Sequence, residues 1–381
     1  MALQHQDTGP GHGRLSGKCI LIISPEPWQG LQMSKHHLAR ALAQRGNRVL
    51  WLDAPSRSFG PVGLLRDGPV ERISYHHWLR GVNRLPRNVQ RWYNTGLLQR
   101  MERAAGQAVD VVWSFDPSRM ALFNKGDRLL VMHPVDLYAV MADPQIFRDA
   151  DLSFTVSHTI LAELQRMAPH VPALNLGHAL APQWTEGAWT PDLPKQHTRP
   201  LAVYAGNLSI KYLDWEVLHQ EALRHPECNF RFMGPLDSEP ADPFFRSIRR
   251  LPNVAFTGLL PVERLAAELR KADVLLLCYR ADRWPGELAN SHKLLEYLST
   301  GKTVVASRTA DHIGTDPMAL PMAESRWEHP ALLGRVLAQL SEYNAPDLQA
   351  KRRAIALEKD IHLQLQHMEK AIDRRWRRAR W

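Results

Sequence analysis

Cysteine is scarce in this chain: Cys19, Cys228 and Cys278 are the only three in 381 residues. An odd number so widely separated excludes a disulfide framework and offers no metal-ligand spacing, so all three are expected to be buried thiols. Long apolar runs are also missing, and no stretch approaches the roughly 20 residues that a membrane span needs. Residues 1–18 are polar and glycine-rich with no hydrophobic centre. That excludes a secretory signal in this stretch and predicts a loose tail on a cytoplasmic protein. Two phosphate-binding signatures are absent as well. The first loop is not G-x-G-x-x-G, and Gly301-Lys302-Thr303 lacks the glycine that a P-loop places five positions ahead of its second glycine, where Glu296 stands.

What is present fits a folded, two-domain protein. Apolar residues make up 44% and charged residues 23% of the chain, a globular composition, and the length exceeds what one ordinary core accommodates. The formal charge of +9 implies an anionic partner. Nucleic acid, an anionic membrane surface and a phosphorylated substrate would each satisfy it.

Strand-like runs recur along both halves. Ile20–Ile23 is wholly apolar, as in a strand buried on both faces. Ser24 to Gly30 forms the next loop, Leu38, Ala41 and Leu42 have helical spacing, and Arg48–Asp53 is a second strand. Val109–Phe115, Arg128–Met132, Leu152–Val156 and Ala173–Asn175 continue the series, and Ser157 is placed to cap a helix over 159–167. Pro182 to Pro200 is rich in proline and polar residues, which is linker composition. A second series follows: Leu201–Ala205, Asn229–Met233, Val254–Thr257, Asp273–Cys278 and Thr303–Ala306. The resulting domain expectation is a tail over 1–18, an N-terminal Rossmann-like domain over 19–185, a linker over 186–199, and a C-terminal Rossmann-like domain over 200–345. A closing helix with a basic, aromatic tail takes 346–381.

The stretch Asn290 to Ala306 carries the most chemistry. A polar turn leads through Asn290, Ser291 and His292 into a helix whose Leu294, Leu295 and Leu298 form an apolar stripe. A helix N-terminus presents unpaired N–H groups and a positive dipole end, which suits a diphosphate. Lys293 adds a full positive charge, and Glu296, one turn on, can accept hydrogen bonds from sugar hydroxyls. The same residues also fit a solvated face over core leucines. Gly206 to Lys211, directly after a strand, combines a glycine that permits close backbone approach with a cation.

These segments resemble the donor site of GT-B glycosyltransferases, in the broad group that includes glycosyltransferase family 4 and the xanthan glucuronosyltransferase type. There a Lys-Leu-x-Glu/Gln-Tyr helix precedes Gly-Lys-Pro-Val-Val or a close variant, as Lys293 to Val305 nearly does here. The resemblance implies an α/β fold of two Rossmann-like domains facing across a cleft, with a C-terminal helix crossing back. It implies a nucleoside-diphosphate sugar, a uridine carrier being expected ahead of others, held by Gly206, Asn207, Lys211, Gly234, Tyr279, Asn290, Ser291, His292, Lys293, Leu294 and Glu296. Asn207 stands where many retaining members have arginine. Gly30, His133 and His178 are implied at the acceptor side of the cleft. Asp136, which from the residues alone is equally a helix cap, is implied as general base.

The retaining signature wants two glutamates separated by seven residues. Counting back from Glu296 reaches Leu288, with Glu287 one place off, so an inverting reaction is expected. Asp149-Ala-Asp151 is formally a D-x-D, but it directly precedes a strand and is read as a strand-edge turn, with no metal or other cofactor. Basic residues alternate with aromatics over 78–103 and 374–381, which suits an anionic membrane surface holding a lipid-linked or glycan acceptor; a packed core under solvated arginines is the competing reading. Nucleic acid is not expected, since no known binding module is present. A nucleotide-sugar epimerase or hydrolase of the same architecture, or a basic nucleic-acid-binding protein, is the alternative reading.

Overall fold

The computed structural model describes residues 15–378 except 30–31, 57–59, 67, 78, 80, 138–139, 141–143, 193–198 and 285–289. The chain divides into two compact units, Met1–Leu176 with Ile361–Trp381, and Gly177–Asp360.

The first unit is built on strands β1 (Cys19–Ile23), β2 (Arg48–Leu52), β3 (Gly63–Arg66), β4 (Val70–Ser74), β5 (Val111–Ser114), β6 (Leu129–Met132), β7 (Leu152–Thr155) and β8 (Ala173–Asn175). Their order is β3-β4-β2-β1-β5-β6-β7-β8. All neighbours are parallel except β3 and β4, which pair antiparallel at the edge. Every residue of β1, β5, β6 and β7 is buried, which explains the wholly apolar sequences of β1 and β6 and the mainly apolar ones of β5 and β7, where Ser114, Ser153 and Thr155 are the polar residues: helices cover both faces of a parallel sheet. The β3–β4 hairpin was not foreseen in the basic stretch after Phe59, because β4 buries only Val70 and Ile73, without strict alternation, and carries Glu71 and Arg72. Helix α2 (Arg87–Ala105) buries Tyr93, Leu97, Leu98 and Met101. These belong to the core, whereas Trp92 on the same helix is 63% exposed.

The second unit holds β9 (Leu201–Ala205), β10 (Asn229–Met233), β11 (Val254–Gly258), β12 (Val274–Leu277), β13 (Thr303–Ser307) and β14 (Met322–Ala323). They are ordered β11-β10-β9-β12-β13-β14 and are parallel throughout. In both sheets the first strand of the unit lies centrally, with later strands added first on one side and then on the other. Such doubly wound sheets open a crevice at the carboxyl ends of the two strands where the order reverses. Those strands are β1 and β5 in the first sheet, and β9 and β12 in the second.

Two boundary expectations need correction. The units divide at Leu176, ahead of the expected linker, because Trp184 is buried in the second core. The linker also anchors there: Trp189 Nε1 donates to Thr300 O at 3.2 Å and Asp192 pairs with Lys302 at 2.6 Å. The closing helix is two helices, Pro346–Leu357 and Ile361–Arg378. The backbone between them turns aside to pair with Leu180, whose N–H donates to Lys359 O at 2.7 Å. The later helix returns the chain to the first unit, burying Ile361, Leu365, Met368 and Ile372 and packing on helix α1 (Ser34–Gln44).

Candidate active site

The second sheet's switch point is shaped by backbone contact between two glycines. After β9 the chain passes through Gly206, whose N–H donates to Met233 O at 2.8 Å, and after β10 through Gly234, whose N–H donates to Gly258 O at 2.8 Å. A methyl group on Gly234 would lie 1.8 Å from the Gly206 carbonyl oxygen, so no other residue fits without moving backbone. The two turns are then fastened to one another. Leu208 N donates to Pro235 O at 2.9 Å, and Ser209 Oγ donates to Ser238 O at 2.8 Å. Asn207 spends its side-chain oxygen on the Ser209 N–H at 2.7 Å, a local Asx turn that leaves the half-buried backbone of Gly206 as the rim.

The helix His292–Ser299 is tied to the same strand end by Tyr297. Its hydroxyl accepts from Ala205 N at 2.7 Å and donates to Ala205 O at 3.0 Å. This fixes the helix one residue before the Gly206 turn and places Lys293 directly over it. A methyl group on Gly206 would meet Lys293 Cε at 2.2 Å. Burial disfavours the Lys293 charge, but Tyr279, which is hydrogen-bonded to it, together with Tyr212 and Glu296, outweighs that effect and holds its pKa above the ordinary lysine value. Tyr279, at the carboxyl end of β12, is held by its N–H donating to Ser307 Oγ at 2.9 Å and by edge-to-face packing against Tyr212 at 5.2 Å. Glu296 keeps partial exposure, yet burial pushes its carboxyl up to about 7 against the opposing pull of Lys293. A fixed ammonium beside a helix N-terminus, a glycine rim and a carboxyl that ionises near neutrality can bind a phosphate and a hydroxyl-bearing group at once.

The structure therefore brings Gly206, Gly234, Tyr279, Lys293 and Glu296 to one strand edge. Ser291 N-caps the helix without a side-chain bond to it, and Leu294 is core. His292 lies 5.8 Å from the His178 ring. Burial, then Lys293 and His178, push its pKa far below the usual histidine value, so it is neutral. Asn290 and Gly177 are close neighbours: a methyl group on Gly177 would be 3.5 Å from Asn290 Nδ2. His178 thus belongs to the second unit, beside the donor-side residues, although it was expected in the N-terminal domain. Lys211 lies beside an indole ring. Its ammonium sits 3.7 Å from the Trp284 ring centroid, where the ring face attracts it.

In the first unit, Asp136 is exposed in the turn after β6. His133 is buried, stacked on Phe115 at 4.7 Å and edge-on to Phe154 at 5.8 Å, with Trp113 Nε1 3.4 Å from its Nδ1. It forms part of the aromatic packing at the ends of β5 and β7, which takes it out of an open acceptor surface. Gly30 lies outside the described residues, as do Glu287 and Leu288, on which the second-glutamate count turned. Asp149 pairs with Arg91 at 2.9 Å, while Asp151 pairs with Lys125 at 2.6 Å and accepts from Leu130 N at 2.9 Å, so both carboxylates serve the strand edge. Sequence reasoning missed the Tyr297 clamp and Tyr212. A tyrosine four residues after Lys293 on one helix face was the available signal for the first; nothing local marked the second.

Part of the second unit resembles a known family in sequence, and the chain resembles solved structures in fold. Residues 199–321 match the family described as Glycosyl transferases group 1. A curated relative, "Putative teichuronic acid biosynthesis glycosyltransferase TuaH" of Bacillus subtilis (strain 168), is 30% identical over 95 residues, which is 25% of this chain and 23% of the relative. The match thus spans about a quarter of that protein's length. Among solved structures, sucrose-phosphate synthase from Thermosynechococcus elongatus superposes with a TM-score of 0.67 at 15% identity, over 93% of this chain and 99% of that one. A glycosyltransferase from Rickettsia africae ESF-5 gives a TM-score of 0.67 at 11% identity, over 94% and 98%. The trehalose-6-phosphate protein from E. coli bound with UDP-2-fluoro glucose gives 0.64 at 12% identity, over 92% and 98%. The chain has the fold of the GT-B glycosyltransferases, and the part of its second unit that carries Gly206, Tyr279, Lys293 and Glu296 matches the Glycosyl transferases group 1 family.

Proposed function

We propose that this protein is a glycosyltransferase that takes a sugar from a nucleoside-diphosphate sugar, with a uridine carrier, and passes it to a glycan or lipid-linked sugar acceptor. The observation that carries the donor assignment is the Lys293 ammonium held over Gly206 at the start of the 292–299 helix. There the diphosphate would meet a full positive charge, unpaired helix N–H groups and a bare glycine rim together. Glu296 would accept from ribose or sugar hydroxyls, and Tyr279 would border the base. The solved neighbour bound with UDP-2-fluoro glucose supports a uridine nucleotide here.

The reaction proposed is direct displacement with inversion. The acceptor oxygen bonds to the anomeric carbon as the bond from that carbon to the diphosphate oxygen breaks. Asp136 takes the hydroxyl proton, and Lys293 with the helix N-terminus stabilises the negative charge on the departing diphosphate. Among the described residues no helix is long and apolar enough to cross a membrane. A lipid-linked acceptor would instead be met at an anionic surface by the exposed Trp92, Arg84 and Arg87 of the 78–103 segment and by the basic 374–381 segment.

The test is a thermal-shift panel of nucleotide sugars, nucleotides and single-stranded DNA, since a ligand that binds only the native state raises its melting temperature. A shift with one or more UDP-sugars supports the assignment. A shift with DNA alone, or turnover of a UDP-sugar that is unchanged by any acceptor, would replace it with a nucleic-acid-binding or hydrolytic protein.

A further inference from the structure

Tyr204 carries a hydroxyl that the packing around it does not require. It lies in β9 among Leu201, Ala202, Val203 and Ala205, and is wholly buried. Its ring packs on Phe232 and edge-on to Tyr279, both at 6.5 Å, contacts that a phenylalanine would make equally well. The hydroxyl has no well-aligned hydrogen bond among the described residues. A polar group buried in this way destabilises a fold, so strand packing alone would favour phenylalanine here.

The location of that hydroxyl gives it a use. A methyl group on Gly206 would lie 2.9 Å from Tyr204 Oη and 2.2 Å from Lys293 Cε, so the hydroxyl and the lysine side chain meet at the same glycine. Tyr279 is hydrogen-bonded to Lys293 and is within hydrogen-bonding reach of Tyr204. Donor chemistry orders the three. An ammonium has donors only, so the Tyr279 oxygen must accept from it. The Tyr279 proton is then directed elsewhere, and Tyr204 Oη is an acceptor for which no other well-aligned donor competes. Apart from Glu296, whose carboxyl is raised to about 7, the groups that act most on the Lys293 charge are the phenols of Tyr279 and Tyr212. A phenol orients an ammonium without neutralising it, which leaves the charge available to an anion.

We propose that Tyr204 is a positioning residue for the Lys293 ammonium: it accepts from the Tyr279 hydroxyl, Tyr279 accepts from Lys293, and the two phenols together fix where the ammonium stands over Gly206. Tyr204 touches no substrate. It acts only through Lys293, and the anion it serves is the diphosphate of the donor. Tyr279 thereby gains a second task, aiming the lysine as well as bordering the base. The assignment rests on the nucleotide-sugar reading above.

A double-mutant cycle on the full-length protein tests it, with UDP titrated by calorimetry and uridine, which lacks the phosphates, followed by ligand-observed NMR. Tyr204→Phe should raise the Kd for UDP fivefold or more and leave that for uridine within twofold. Its melting temperature should be equal to the wild type's or higher, because the lost hydroxyl has no well-aligned bond. In a Lys293→Met background the same substitution should change the Kd for UDP by less than twofold, since the residue it acts through is gone. A merely structural tyrosine would not make its effect depend on both the phosphates and Lys293. Unchanged UDP affinity in Tyr204→Phe, equal losses for UDP and uridine, or a loss that persists in the Lys293→Met background would each overturn the proposal. Failure of the wild type to bind UDP is a separate outcome, which would overturn the nucleotide-sugar reading and this proposal with it.

Discussion

Glu296 should make the unliganded protein lose stability as the pH rises from about 4.5 to 7. Its carboxyl is raised from 4.5 to about 7, chiefly by burial, so within that window the folded state binds a proton that the unfolded state has released. Unfolded chains then hold fewer protons, and the stability slope with pH is negative. Below the window both states are protonated and Glu296 contributes no penalty; above it, both are ionised and the full penalty applies. With about 1.4 kcal/mol for each pH interval of one, the penalty is at most about 3 kcal/mol, reduced by the water that still reaches the side chain. Glu296→Gln keeps the shape and removes the titration. Urea unfolding of both proteins between pH 5 and 8 isolates the effect: the variant's advantage should be under about 1 kcal/mol at pH 5 and grow to about 2–3 kcal/mol at pH 8. A gap that stays constant over this range would refute the argument. The same ionisation predicts the direction of ligand binding. If hydroxyl groups bond to the carboxylate, UDP-sugar affinity should rise through pH 7 in the wild type and stay flat in the variant.

Three further outcomes follow from the site. Gly206→Ala places a methyl group against Lys293 Cε, the far end of a flexible side chain; the melting temperature should fall by only a few degrees, while UDP affinity drops about tenfold as the ammonium is displaced. Gly234→Ala directs its methyl at the Gly206 carbonyl oxygen from a backbone with φ of +143°; stability should fall by about 2–4 kcal/mol in a denaturant melt, with secondary structure retained. Asp136→Asn should reduce sugar transfer at least a hundredfold and leave UDP binding within twofold in calorimetry; near-normal turnover would remove it as the base.

Much of the fold was legible because parallel strands buried on both faces have little choice of residue: β1, β9 and β12 are continuous apolar runs. The β3–β4 hairpin was not, since an edge strand needs only half its residues apolar and its arginines look like a basic surface. Nor was the break at 358–360, which depends on Leu180, far away in sequence. In the candidate site, Lys293, Glu296 and Gly206 were visible as a cation, a carboxyl and a glycine at the ends of elements. A lysine after a strand gives no sign that an indole ring lies beside it, as Trp284 does beside Lys211. His133 likewise reads as an open strand-end histidine until Phe115 and Phe154 are seen packed on it.

The central claim is that Lys293 grips a nucleotide diphosphate over Gly206. Isothermal titration of UDP into the wild type and Lys293→Met tests it most directly. Loss of a charge-assisted hydrogen bond, about 1.5–3 kcal/mol, predicts a Kd larger by about 10- to 100-fold in the variant at unchanged stoichiometry. Equal affinity in the two proteins, or no UDP binding to the wild type, would contradict the account.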